Sequence, residues 1–207
     1  TLILNGDDPW LKDRKAREGC HTLYYGTGEH CDYRAVDIRI TEGYPAFTAV
    51  CRGVSVPVKL KVMGIHQVGN ALAALAAADL CGVSPEAAAE ALGTFEGYRG
   101  RQQRFEKDGI IFIDDTYNAS PVSMNGAVDI LSSLEPSGRR IAVLADMKEL
   151  GEEELRFHRE VGEHLGGSRV NLLLTFGELA KAIQEGALNR RPDLETLHFQ
   201  DKAELEQ

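Results

Sequence analysis

The chain has 207 residues, 43% hydrophobic and 27% charged, a balance that suits a folded globular protein and argues against disorder. A formal net charge of −9 disfavours a general nucleic-acid surface, which needs a basic footprint. No apolar run approaches the roughly 18 residues of a membrane span and no signal-peptide pattern opens the chain, so a cytoplasmic protein without membrane insertion is expected.

In chain order, residues 1–5 read as an apolar strand that runs into a Gly-Asp-Asp-Pro turn. Asp7 or Asp8 is a candidate cap for a short helix reaching about Arg17, with Pro9 suited to its first position. Residues 22–26, TLYYG, form another short strand. Between 31 and 63 apolar and polar residues alternate with turns between the runs, the pattern of antiparallel strands with one wet face. A helix follows over about 66–80 and ends at Gly82. Ser84 and Pro85 then open a second helix.

The stretch from Glu96 to Arg104 breaks every period and combines two glycines with three arginines. It marks a domain boundary, giving domains 1–97 and 98–207. Beyond it strands at 109–115, 140–146, 170–176 and 195–199 alternate with helical patterns at about 123–134, 152–165 and 178–188. This βαβα order predicts an α/β domain with a Rossmann-like parallel sheet and right-handed crossovers. The chain starts directly in a strand and stops inside a helical pattern, so both ends read as cuts through a longer protein. The four cysteines, at 20, 31, 51 and 81, lack the spacing of a zinc site and are expected to be reduced thiols.

Chemistry is sought first in GIIFIDDTYNASP, residues 109–121. Its continuous apolar run predicts a strand buried on both faces of the parallel sheet. Ligands of open α/β sheets lie beyond the carboxyl ends of the strands, where Asp114, Asp115, Tyr117 and Asn118 emerge. Asp115 could accept hydrogen bonds from a ribose diol; equally, both aspartates could simply cap the turn. A second strand end, IAVLADMKELG, puts Asp146 and Glu149 on a neighbouring loop. Around His66 to Asn70, the Asn70 amide matches the donor–acceptor edge of adenine, although an asparagine near a helix start often caps or packs. Arg101, on the boundary segment, could clamp a phosphate or be solvated. His158 and His164 read as packing or surface residues. A glycine-rich phosphate loop is absent from the sequence.

GIHQVGNALAA, GRQQR, IDDTYNASPVSM and VLADMKELG, in that order and spacing, resemble the ATP-dependent Mur ligases. The D-x-Y-N-A-x-P and D-M-x-E-L-G segments are similar to those of the branch that adds D-alanyl-D-alanine to UDP-N-acetylmuramoyl-tripeptide. The resemblance implies the C-terminal part of a central ATPase domain followed by a truncated C-terminal Rossmann-like ligase domain. It implies ATP and Mg²⁺ as cofactors, with the phosphate loop and most metal ligands upstream, so that this chain alone is expected to be inactive. It implies peptidoglycan precursor synthesis through an acyl phosphate, by a protein expected to be monomeric.

Carried over residue by residue, the resemblance places His66 and Asn70 at the adenine and Asp115 at the ribose, with Tyr117 and Asn118 lining the same cleft. It places Arg101 at the nucleotide phosphates as the catalytic cation, with Arg104 the competing assignment. Asp146 and Glu149 lie in a loop facing the incoming dipeptide. Gln67 and Ser120 depart from the asparagines usual in the family. The rival reading is a stand-alone α/β nucleotide-binding or receiver-like signalling module. A receiver needs a phospho-accepting aspartate on its third strand, which here ends in Thr175-Phe176-Gly177.

Overall fold

Alternating apolar and polar side chains between residues 33 and 59 build three antiparallel strands with one buried face. They are β3 (Tyr33–Thr41), β4 (Tyr44–Cys51) and β5 (Val54–Lys59). Two shorter strands, β1 (Leu2–Asn5) and β2 (Thr22–Gly26), run parallel to each other, and β2 runs parallel to β3. The result is a five-stranded mixed sheet in the order β1-β2-β3-β4-β5. Helix α1 (His66–Leu80) turns Val68, Ala71, Leu72, Leu75 and Ala76 inward, the i, i+3, i+4 stripe of an amphipathic helix. That stripe packs on Tyr33, Phe47, Ala49, Val56 and Val58 in a single core. Helix α2 (Pro85–Thr94) begins at Ser84, whose hydroxyl accepts the Ala87 N–H.

The computed structural model describes residues 1–135 and 138–206. The chain divides into two units, Thr1–Tyr98 and Arg99–Gln207. In the first, the expected helix up to Arg17 does not form. The Asp8 carboxylate instead accepts the amides of Trp10 and Leu11, and the Thr22 hydroxyl accepts the amide of Ala16. A segment this short, without an apolar stripe to bury, cannot offset the cost of helix nucleation, so local turns win.

The second unit corrects a larger expectation. β6 (Gln103–Lys107) and β7 (Ile110–Asp114) form an antiparallel hairpin, and β7 does not join the parallel sheet. Asp108 and Gly109 take φ of 54° and 76°, the two left-handed residues of a two-residue hairpin turn. Ile110 is 57% and Phe112 40% exposed, so this strand is not buried on both faces. Phe112 instead stacks on Phe105 across the hairpin, ring centroids 5.1 Å apart.

The parallel sheet itself has three strands among the described residues, in the order β10-β9-β8: β8 (Ile141–Ala145), β9 (Leu172–Phe176) and β10 (Glu195–Phe199). Helices α3 (Pro121–Ser133), α4 (Glu154–Gly166) and α5 (Lys181–Arg190) supply Val128, Val161, Leu165 and Ile183 to a second core with Ala142 and Leu173. Ile141 and Val143, on either side of buried Ala142 in β8, and Leu197 on β10 stay exposed. A short helix α6 (Lys202–Leu205), capped by Asp201, follows β10.

α4 and α5 pack unusually closely because glycines face backbone. A Cβ on Gly162 would lie 2.0 Å from the Ile183 carbonyl oxygen, and one on Gly186 would lie 2.2 Å from that of Arg159. The N-terminus of α3 is set by local chemistry: Ser120 and Ser123 form a reciprocal capping box, with Pro121 at the first helical position.

Candidate functional site

In the first unit, His66 and Asn70 stand one turn apart on α1, four residues being the spacing that brings side chains onto one helix face. Both are exposed. The Asn70 amide nitrogen donates to the Gln67 side-chain oxygen at 3.0 Å. That contact uses one donor of the amide. Gln67, seen in the sequence only as a departure from a family asparagine, is thus the residue that contacts Asn70. Its position three residues before Asn70 is the signal that could have revealed it.

In the second unit a cluster forms where β6 begins and β7 ends. The Arg101 guanidinium lies over the Tyr117 ring, 4.1 Å from its centroid, and Tyr117 is 69% exposed. The Tyr117 N–H donates to the Gly100 carbonyl at 3.0 Å. Gly100 has φ of 73°, and a Cβ there would press on the Tyr117 amide at 3.3 Å, so glycine is required for this approach. The Gln102 amide donates to the Asp115 carboxylate at 3.4 Å. Gln102 itself has φ of 53°, and its side-chain oxygen is buried without a protein partner. No periodic signal pointed to it.

The two neighbouring aspartates differ in task. Asp114 takes both the amide and the hydroxyl of Thr116, at 3.1 and 2.7 Å, and so closes the turn. Asp115 instead accepts from the Gln102 side chain. Asn118 is exposed, with its side-chain oxygen on the Ala119 amide. Arg104 lies within β6, opposite Ile113, whereas Arg101 precedes the strand and covers Tyr117.

The loop after β8 is anchored at its start. One Asp146 carboxylate oxygen accepts the Ala180 amide at 2.7 Å, just ahead of α5. Met147 is fully buried, and its amide donates to His158 Nε2 at 2.8 Å. Lys148 and Glu149 are exposed, Glu149 with φ of 62°. His158 is fully buried, whereas His164 is a surface residue paired with Asp129 at 2.7 Å.

A carboxylate, an exposed amide and a cation held over an aromatic ring are groups suited to a diol, a base edge and an anion respectively. Magnesium is different: among the described residues no three His, Cys, Asp or Glu side chains form a group able to hold a metal ion. The described residues therefore do not fit a metal centre.

Comparison with known proteins places both units in one family. Residues 1–78 match the Mur ligase middle domain, and residues 100–207 match the Mur ligase, glutamate ligase domain. The chain belongs to the Mur ligase family.

Within that family several of its relatives are UDP-N-acetylmuramoyl-tripeptide--D-alanyl-D-alanine ligases, and another is a UDP-N-acetylmuramate--L-alanine ligase of Variovorax paradoxus, 34% identical over 69% of this chain and 32% of that relative. The chain is 37% identical over 206 residues to the UDP-N-acetylmuramoyl-tripeptide--D-alanyl-D-alanine ligase of Bacillus subtilis, covering 99% of this chain and 44% of the relative. It superposes on a MurF of Acinetobacter baumannii with a TM-score of 0.83 and 31% identity, covering 98% of this chain and 43% of that one. A MurF ligase of Thermotoga maritima solved with ADP is similar at 25% identity and a TM-score of 0.75, over 96% of this chain and 49% of that one. The chain thus spans less than half the length of each. None of these relatives supports the reading as a receiver-like signalling module.

Proposed function

We propose that the chain is the part of an ATP-dependent ligase that holds the adenosine end of the nucleotide and the amine-bearing substrate. The reaction joins D-alanyl-D-alanine to UDP-N-acetylmuramoyl-tripeptide, in cytoplasmic synthesis of a peptidoglycan precursor. The domain bearing α1 belongs in this reading to the central ATPase domain, and the domain from Arg99 onward to the C-terminal ligase domain. The observation that carries the reading is the cluster of Arg101, Gln102, Asp115 and Tyr117 at the β7 end, within a chain similar to MurF ligases along almost its whole length.

In the reaction the tripeptide carboxylate attacks the γ-phosphorus of ATP, giving an acyl phosphate and ADP. The dipeptide's neutral amine then attacks the acyl carbon, and inorganic phosphate leaves as the peptide bond forms. The roles of this chain are positional and electrostatic. Asn70, oriented by Gln67, presents its carbonyl to the exocyclic amine of adenine. Asp115 accepts from the ribose hydroxyls, its carboxylate steadied by Gln102. Arg101, lifted from its stacking on Tyr117, offsets charge on the phosphates, while Asn118 lines the same surface. Glu149, on the exposed crest of the 146–151 loop, attracts the ammonium of the arriving dipeptide. Asp146 fixes the start of that loop through the Ala180 amide.

Asp115→Ala and Asn70→Ala in the full-length ligase test the reading. Loss of one or two hydrogen bonds at the nucleotide, about 1–2 kcal/mol, raises the KM for ATP roughly 5- to 30-fold. Arg101→Ala lowers kcat more than it raises that KM, because its charge matters most as phosphoryl transfer proceeds. ATP kinetics unchanged in both Asp115→Ala and Asn70→Ala would remove the nucleotide assignments.

A further inference from the structure

The feature with no role in this scheme is the buried imidazole of His158, on the second turn of α4. We propose that His158 is a positioning residue: it clasps the 146–151 loop in the conformation that presents Glu149 to the dipeptide amine. The proposal rests on the reading of that loop as the dipeptide-facing one.

Hydrogen bonding assigns its state. His158 Nε2 lies 2.8 Å from the Met147 backbone nitrogen, which can only donate. Its Nδ1 lies 2.7 Å from the Glu154 carbonyl oxygen, which can only accept. Both contacts are satisfied together only by the neutral ring with its proton on Nδ1. The ring therefore joins the loop, through Met147, to the first turn of α4, through Glu154.

The clasp acts on a loop held at three further points. Asp146 is tied to the Ala180 amide, Met147 is fully buried, and Leu150 packs against the second core. Between these anchors only Lys148 and Glu149 reach solvent as a crest. Glu149 has φ of 62°, a left-handed conformation that a glutamate keeps only where its neighbours impose it. Without the bond to His158 the Met147 amide would be buried and unpaired, so the loop would have to rearrange to satisfy it. The crest would move with it. A histidine serving only to fill the core would need neither the specific tautomer nor an acceptor at the Nε2 position.

The test pairs two variants with two readouts. His158→Leu keeps the bulk and removes the acceptor; His158→Gln restores an acceptor oxygen near the Nε2 position. In the native protein, nitrogen–nitrogen scalar coupling across the Met147 amide and His158 Nε2 should be measurable by NMR. Exchange of the Met147 amide should rise about tenfold or more in His158→Leu and return toward native in His158→Gln. In the full-length ligase, His158→Leu should raise the KM for D-alanyl-D-alanine about 10- to 100-fold, the scale of a displacement of about 1 Å, and leave the KM for ATP within about twofold. His158→Gln should recover most of that loss.

Absence of the coupling, with amide exchange alike in all three proteins, would overturn the clasp itself. Faster exchange in His158→Leu with unchanged dipeptide kinetics would overturn the dipeptide-facing loop and leave the nucleotide assignments to their own test. A parallel rise in both KM values, or no rescue by glutamine, would reduce His158 to a packing residue.

Discussion

Cys51 and Tyr33 show how strongly burial acts on single groups in the first unit. Burial, with smaller contributions from Asp79 and Glu86, pushes the Cys51 thiol from 9.0 up to about 11. Burial and then the hydrogen bond to Asp79 push the Tyr33 hydroxyl from 10.0 to about 12. Each folded-state value is raised, so the stability these groups contribute is fully present below the unfolded values and is lost as pH climbs through the folded ones. The denaturation midpoint of the first unit should therefore hold steady to about pH 9 and fall progressively from there toward pH 12, with a shallower fall in Tyr33→Phe. A midpoint independent of pH between 9 and 11 would contradict this. The same burial predicts thiol reactivity. At pH 8 a thiol-disulfide reagent should label exposed Cys20 and Cys81 at least about a hundredfold faster than buried Cys51, and denaturant should remove the difference.

Among the elements, the α4–α5 pair has the least tolerance for change. With backbone carbonyls at 2.0 and 2.2 Å from the would-be Cβ atoms of Gly162 and Gly186, the helices must separate to admit even a methyl group. Gly162→Ala and Gly186→Ala should each destabilise the second unit by about 1–3 kcal/mol or more through overpacking, read as a lowered urea midpoint at unchanged slope. An alanine at an ordinary exposed helix position would instead stabilise by a few tenths to about 1 kcal/mol, so stabilisation by either substitution would contradict the close approach of the two helices.

Legibility differed from element to element for physical reasons. The β3–β5 alternation and α1 with its apolar stripe could be read directly, because each buries one face and its period records that face. The run Ile110–Ile113 could not be placed in the same way. A continuous apolar run states β-propensity but not what covers the strand, and the Asp108-Gly109 turn signal that pairs it with β6 lay unremarked beside it. At the candidate site, the residues offering polar groups outward were visible at strand and helix ends. Of those that contact them, Gln67 left only its i, i+3 spacing to Asn70, and Gln102 and His158 left no signal, because a hydrogen bond to a side chain or amide distant in sequence leaves no period.

At the scale of the whole molecule, the candidate groups are divided between two units with separate cores: His66 and Asn70 in one, and Arg101, Asp115, Tyr117, Asn118 and Glu149 in the other. Their proposed tasks are complementary, the base on the one hand, and ribose, phosphate and incoming amine on the other. Among the described residues no helix is long and apolar enough to cross a membrane. In the proposed function these groups serve one ATP-driven ligation with a dipeptide acceptor. Phosphate release by the full-length ligase, measured with ATP and UDP-N-acetylmuramoyl-tripeptide while the acceptor is varied, tests it most directly. The account predicts release that requires D-alanyl-D-alanine, fails with L-alanine alone, and in Asp115→Ala drops about tenfold at low ATP but recovers at saturating ATP. Release that proceeds without the dipeptide, or that is indifferent to Asp115 at every ATP concentration, would contradict it.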